Sequence, residues 1–322
     1  MANIQEIARR AGVSTTTVSR VLNGHPYVSG SIRARVLEII SQLDYVPNAS
    51  ARSLKKGSTR LIGIIAVSLS PLLLNFIQAF TEIAQQYGFN ITLFMTNGDL
   101  EKELVALEML RSKQLDALVC VLRANDWEVI EAYTKYGPIV TWQRLQSEII
   151  PSVFMDQYQA YILGIEHLYS KGYRKILSIY AMSKGLNTKE RKRAYADFVE
   201  KYNIPDHGFP QFQDKTSVQD GEELAGWWIA QTDRPDALFC SNDEVAAGAV
   251  TELRRRGFAV PGDVGIMGFD NTEVAHLLDL TTIHSPVDLQ AENAFILIQN
   301  RLAQSDLELH SLEYRLIERS ST

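Results

Sequence analysis

An α/β protein with a small all-α head and a larger two-lobed part built on parallel sheets is predicted by three features of the 322-residue chain. Residues 4–43 place their apolar side chains at helical spacing only. From residue 61 onward, short continuous apolar runs alternate with helical stretches, the pattern of βαβ units. The alternation runs twice over similar lengths, which implies two lobes.

The head reads as three short helices. Ile4, Ile7, Ala8 and Ala11 recur on one face, and Gly12 stops that helix. Ser14 can cap a second helix, Thr15 to Leu22, through its side-chain oxygen; Asn23-Gly24 ends it. A third helix follows Ser29-Gly30-Ser31, with Ile32, Val36, Ile39, Ile40 and Leu43 turned inward. Two short helices joined by a tight Gly-containing turn form a helix-turn-helix unit. The outer face of the second helix offers Thr15, Thr16, Thr17, Ser19 and Arg20. Helix propensity would favour other residues than three threonines on an idle face. Small hydroxyls and one guanidinium suit base edges in a major groove.

In the larger part, Leu61 to Val67 is apolar throughout and suits a strand buried on both faces. A helix through Phe76, Phe80 and Ile83 follows. Then come strand Ile91–Met95, helix Glu101–Ser112, strand Ala117–Leu122, helix Trp127–Tyr136 and strand Ile139–Trp142. The second series starts with a strand at Val153–Met155 and a helix around Tyr161–Ser170. It continues with strand Ile176–Tyr180, helix Lys189–Tyr202, helix Glu222–Ala230, strand Ala237–Cys240, helix Glu244–Arg256 and strand Val264–Phe269. A last helix, Asp288–Leu302, and strand Tyr314–Glu318 are placed back on the first lobe. Ligands of open α/β sheets bind beyond the carboxyl ends of the strands, so two lobes imply a cleft between them.

Charge is divided along the chain. Nine Lys or Arg against three Asp or Glu give residues 1–60 a charge of +6, while the rest carries −12, for a total of −6. A polyanion partner is therefore expected for the head alone. Two cysteines, Cys120 and Cys240, exclude a disulfide framework and a multi-thiolate zinc site; both sit in apolar runs and read as buried thiols. The six histidines have no metal-ligand spacing, and no dinucleotide glycine motif, zinc-protease motif or nucleophile elbow is present, so neither a metal, a cofactor nor an enzyme is expected. Lys55-Lys56-Gly57-Ser58-Thr59 lacks the glycine and lysine order of a phosphate loop. The first residues lack the pattern of a signal peptide and no run is long enough to span a bilayer, so a cytoplasmic protein is expected.

The unbroken run from Ile4-Gln5-Glu6-Ile7-Ala8 through Gly12-Val13-Ser14 to Val18-Ser19-Arg20-Val21-Leu22-Asn23-Gly24 resembles the head of the LacI/GalR family of bacterial repressors. The resemblance continues through Tyr45-Val46-Pro47-Asn48-Ala49-Ser50-Ala51-Arg52-Ser53-Leu54. In the larger part it is carried by Lys171 to Ile176, by Phe239-Cys240-Ser241-Asn242-Asp243 through Ala249, by Val260 to Asn271, and by Arg315 to Arg319. It implies a DNA-binding domain at 1–47, a hinge helix and linker at 48–60, and a two-lobed, periplasmic-binding-protein-like body at 61–322 that binds an effector and dimerises.

Residue by residue, the resemblance makes Thr15, Thr16 and Arg20 base-reading positions, and Ser14, Ser19 and Asn23 phosphate or capping groups. Leu54 matches the leucine that wedges into a minor-groove base step, kinking DNA. The ligand arginine of the family maps to Arg191, although Ala194 replaces a usual glycine nearby. Asp270 follows a strand and reads as a ligand acceptor; Asn242 is either a ligand contact or a helix cap. Ser68 and Trp142 end strands of the first lobe, where a hydroxyl and an aromatic face suit a sugar. Asp156 falls at the interlobe crossing and is a hinge candidate. The expected function is a homodimeric, sequence-specific transcription regulator, a repressor, binding double-stranded operator DNA and controlled by a sugar or sugar derivative. A short recognition helix reads few base pairs, which is why pairing is expected. The rival reading is a solute-binding or sensing protein that recognises no DNA sequence.

Overall fold

The computed structural model describes residues 3–46, 57–145, 147–183 and 185–322. They form two compact units that divide between Thr59 and Arg60.

The first unit holds three helices, α1 (Ile4–Ala11), α2 (Thr15–Leu22) and α3 (Gly30–Gln42). Each start is capped by a short polar side chain: Asn3 accepts from the Glu6 amide, Ser14 from Thr17 and Ser29 from Ile32. Gly12 ends α1 at φ 64°, a left-handed conformation that glycine adopts without steric cost. Ile7, Ala8, Ala11, Val18, Val21, Val36 and Ile39 meet as one small core.

The second unit has two α/β lobes. Lobe 1 carries a four-stranded parallel sheet in the order β2-β1-β3-β4, made of β1 (Leu61–Ala66), β2 (Asn90–Met95), β3 (Ala117–Cys120) and β4 (Ile139–Thr141). Helix α4 (Pro71–Gln86) packs on one face, with Phe76 and Phe80 in its core; α5 (Leu100–Arg111) and α6 (Trp127–Glu131) cover the other. Burying each such ring contributes about 2–3 kcal/mol. Lobe 2 carries the three-stranded parallel sheet β5-β6-β7, made of β5 (Ile176–Ser178), β6 (Ala237–Phe239) and β7 (Gly265–Met267). Helices α7 (Gln157–Ser170) and α8 (Leu186–Tyr202) lie on one face of it; α9 (Val218–Ala230) and α10 (Asp243–Arg255) lie on the other.

Several expectations change here. Val153–Met155 is not a strand: only an isolated bridge joins Ser152 to Thr141, because the segment leaves β4 to cross between lobes. The helix expected to reach Tyr136 stops at Glu131 and continues as turns. Helix α11 (Glu273–Leu277) and strand β8 (Thr282–His284) were not foreseen. The last helix, α12 (Val287–Ala303), does return to lobe 1, where Phe295 packs on Phe80. The last strand, β9 (Arg315–Ile317), does not; it pairs antiparallel with β8, and Tyr314 and Leu316 join the core of lobe 2.

The chain therefore passes between lobes three times. Val153 belongs to the lobe 1 core and Tyr158 to that of lobe 2. Ile283 packs in lobe 2 and Val287 in lobe 1. After α12, His310 is still tied to Asn293 by two bonds, and by Tyr314 the chain is in lobe 2.

Candidate functional site

In the head, α2 buries Val18 and Val21 and leaves Thr15, Thr16 and Arg20 exposed. The helical period places Thr16 and Arg20 one turn apart, so they share a face. Ser14, Ser19 and Asn23 are engaged within the helix. Ser14 Oγ accepts from the Thr17 amide at 3.1 Å, and Asn23 Nδ2 donates to the Ser19 carbonyl at 2.7 Å. Ser14 and Asn23 sit at the two caps of α2, and Ser19 stands inside the helix beside Asn23. Past α2, Arg33 Nη2 donates to the His25 carbonyl at 2.6 Å, and Tyr27 stands 87 % exposed beside the His25 ring. An exposed tyrosine just past α2 is a feature that periodicity cannot single out. Leu54 lies outside the described residues.

In the body, the strand ends of lobe 2 bring Arg191, Asn242 and Asp270 toward one region. Arg191 enters from the first turns of α8 and is buried. Its guanidinium stacks 3.8 Å above the Phe269 ring, Nε donates to Gln157 Oε1 at 2.9 Å and Nη1 donates to the Ser241 carbonyl at 2.8 Å. Burial lowers the Arg191 pKa and the Asp270 charge opposes that shift.

Asp270 sits just past β7 at φ 103°, a conformation rare for a residue with a Cβ. Its amide donates to the Ile283 carbonyl at 2.8 Å, and its carboxylate accepts from Ser285 Oγ at 3.2 Å. Burial, and next the Asp243 charge, push it up to about 7, while Arg191 pulls it down.

Asp243 supports this loop from inside. It is fully buried and accepts from the Thr272 amide at 2.6 Å, from Thr272 Oγ1 at 3.1 Å and from Thr282 Oγ1 at 2.6 Å. A Cβ at Gly268 would lie 2.2 Å from its Oδ1, so only glycine fits there. Burial raises Asp243 to about 6 against those three donors. Asn242 caps α10, accepting from the Val245 amide at 2.9 Å and donating to the Thr216 carbonyl at 2.9 Å. Of its two readings, the geometry displays the cap.

The lobe 1 residues are less convergent. Ser68 is exposed in the loop between β1 and α4. Trp142 packs edge-on against Phe76 at 5.1 Å and joins the lobe 1 core, partly buried. Asp156 accepts from Arg144 Nη2 at 2.9 Å and from the Tyr158 amide at 3.0 Å, so it caps α7 at the crossing. An interlobe cavity of about 340 Å³ is lined by Asn75, Gln78 and Glu82 of α4 and by Asp270, His284 and Ser285. Cys120 and Cys240 are buried free thiols, and burial raises both. Among the described residues no His, Cys, Asp or Glu cluster could hold a metal ion, and no helix is long and apolar enough to cross a membrane.

Comparison with known proteins agrees with both units. Residues 3–48 match the family described as bacterial regulatory proteins, lacI family, and residues 165–322 match a periplasmic binding protein-like domain. The uncharacterized HTH-type transcriptional regulator YkvZ of Bacillus subtilis is 34 % identical over 322 residues, all of both chains. The fold is that of a Lac repressor dimer bound to operator and the anti-inducer ONPF, with TM-score 0.84 at 23 % identity over 99 % of this chain and 98 % of that one. A LacI family regulator of Lactobacillus casei with bound sucrose aligns with TM-score 0.74 at 23 % identity over 81 % of this chain and 99 % of that one. With a relative of this identity along its whole length and the family's helix-turn-helix at its head, the protein belongs to the lacI family of bacterial regulatory proteins and is a DNA-binding transcription regulator.

Proposed function

We propose that the protein is a cytoplasmic, homodimeric repressor that reads operator DNA through Thr15, Thr16 and Arg20 and responds to a carbohydrate bound between the lobes. The observation that carries the DNA half is the exposure of these three side chains on the outward part of α2, with Thr16 and Arg20 on one face, while its caps are satisfied from within. Arg20 can bond two acceptors of one guanine, and the threonine hydroxyls and methyls suit neighbouring base edges. One such helix covers few base pairs, so two heads on a near-palindrome are required for specificity. Residues 48–60 serve as the hinge, with Leu54 wedging the central base step. Leu277, 79 % exposed on α11, offers an apolar contact for pairing of bodies.

For the effector half, support comes from Arg191 and Asp270, a donor fork and an acceptor within Coulombic reach of each other, an arrangement suited to vicinal hydroxyls. The sucrose-bound relative of like fold supports a sugar. Ser68 and Trp142 would close the site from lobe 1. Linkage then follows: the sugar favours one lobe arrangement, and that arrangement changes pairing of the heads.

The test is selection of oligonucleotides from a random pool, then gel retardation at several salt concentrations with a sugar panel. Sequence-selective retardation, altered by a sugar, is expected. Failure to enrich any sequence would favour the solute-binding alternative. Leu54→Ala is expected to weaken operator binding and reduce bending, measured by circular-permutation gels.

A further inference from the structure

Two of the three passages between lobes are bonded to the residues that the effector is proposed to touch, and the third is joined to them through Gln157. Gln157 opens α7 directly after the first passage. Its Oε1 accepts from Arg191 Nε at 2.9 Å, and its Nε2 donates to Tyr314 Oη at 2.6 Å. Tyr314 lies at the end of the third passage and packs edge-on against Phe269, the ring under the Arg191 guanidinium. Ser285, in the second passage, donates to Asp270. On the lobe 1 side, Arg144 reaches Asp156, the neighbour of Gln157, and Gln290 Nε2 of α12 donates to the Val153 carbonyl at 2.6 Å.

A primary amide has one acceptor end and one donor end, and both ends of Gln157 are occupied. Turning the Arg191 side chain toward a ligand therefore strains or breaks its bond to an amide whose other end holds Tyr314. Coupling between a ligand and a distant site needs an element whose arrangement the ligand biases.

We infer that Gln157 is a positioning residue, which orients Arg191 and transmits its engagement to the first and third interlobe passages. The inference rests on the reading of Arg191 as an effector contact for its regulatory part, and on geometry alone for its positioning part.

The test uses the full-length chain. In nitrogen-15 spectra of arginine side chains, the Arg191 Nε–H, identified by its loss in Arg191→Lys, is expected to be protected from solvent exchange. Gln157→Leu should expose it, and Gln157→Glu, which accepts from both Arg191 and Tyr314, should restore the protection. Where Gln157→Leu does not fold, Gln157→Ala replaces it, with faster exchange again expected. Wild-type protection in whichever of these two variants is used overturns the inference.

Gel shifts titrated with sucrose, glucose and cellobiose read the regulatory part. For the sugar that alters the wild-type DNA complex, Gln157→Leu should raise the half-effect concentration about tenfold, with Gln157→Glu near the wild type. An unchanged half-effect concentration in Gln157→Leu overturns the transmission. If Arg191→Ala responds normally to that sugar, the effector reading of Arg191 fails, and the exchange measurement still decides whether Gln157 positions the guanidinium.

Discussion

The face of α2 and the cleft side of lobe 2 solve opposite problems. In the head, the proposed reading groups stand within six residues on one helix, exposed, and the neighbouring polar groups are satisfied locally. In lobe 2, Arg191, Asn242 and Asp270 come from three separate strand ends, and each is held by partners distant in sequence. A rigid duplex can be met by a preformed exposed surface. A small ligand must be surrounded, which forces charged groups into burial and makes each dependent on a supporting shell.

Substitutions at the two places should therefore differ in size and in kind. Arg191→Ala removes a buried cation from Asp270, Gln157 and the Ser241 carbonyl. Effector binding is expected to weaken by about 2–5 kcal/mol, as for one partner lost from a buried charged pair, with DNA affinity in the absence of sugar little changed. Calorimetric titration checks this, and an equal loss of sugar-free DNA binding would erase the contrast. Arg20→Ala should cost about 1–3 kcal/mol at its own base pair and relax preference there, read by repeating the selection with the variant. A uniform loss across all sequences would instead make Arg20 a phosphate contact.

The buried Asp243 and the half-buried Asp270 sharpen the comparison through pH. Asp270 is raised to about 7 and Asp243 to about 6 from an unfolded value of 3.8. An acid raised by folding binds more protons in the native state between those values. Its stabilising effect is thus complete below about 4 and lost as pH rises toward about 7, by up to about 1.4 kcal/mol per pH unit per group. Urea midpoints of the body followed across this window should fall with pH through these two groups, and Asp270→Asn should flatten the profile. The smallest effect is expected in the head: Ser14→Ala removes the cap of α2 and should lower stability by about 1 kcal/mol in thermal melts, with base preference intact.

Much of the molecule was legible from the chain. Helical spacing of Ile4, Ile7, Ala8 and Ala11 and the short polar caps located the head, because helix contacts lie three or four residues apart. Continuous apolar runs such as Leu61 to Val67 located the parallel strands. The misreadings cluster at the passages. Val153–Met155 has strand-like composition but leaves the sheet, and Tyr314–Glu318 pairs in lobe 2 because β8 offers an edge there. The bonds that Asp243 and Gln157 make carried no local signal, since their partners lie 29 and 39 residues away for Asp243, and 34 and 157 for Gln157.

Residue order alone thus settled which residues of α2 face outward, where most of the parallel strands lie, and that a basic head precedes an acidic body, because periodicity, capping and charge act over a few neighbouring residues. Only the folded body decided that Arg191 stacks on Phe269 and donates to Gln157, that Asp243 underpins the Asp270 loop, and that the three passages reach Arg191 or Asp270 directly or through Gln157. Those outcomes depend on burial and on which distant strand ends meet, and neither is written in any short stretch of chain.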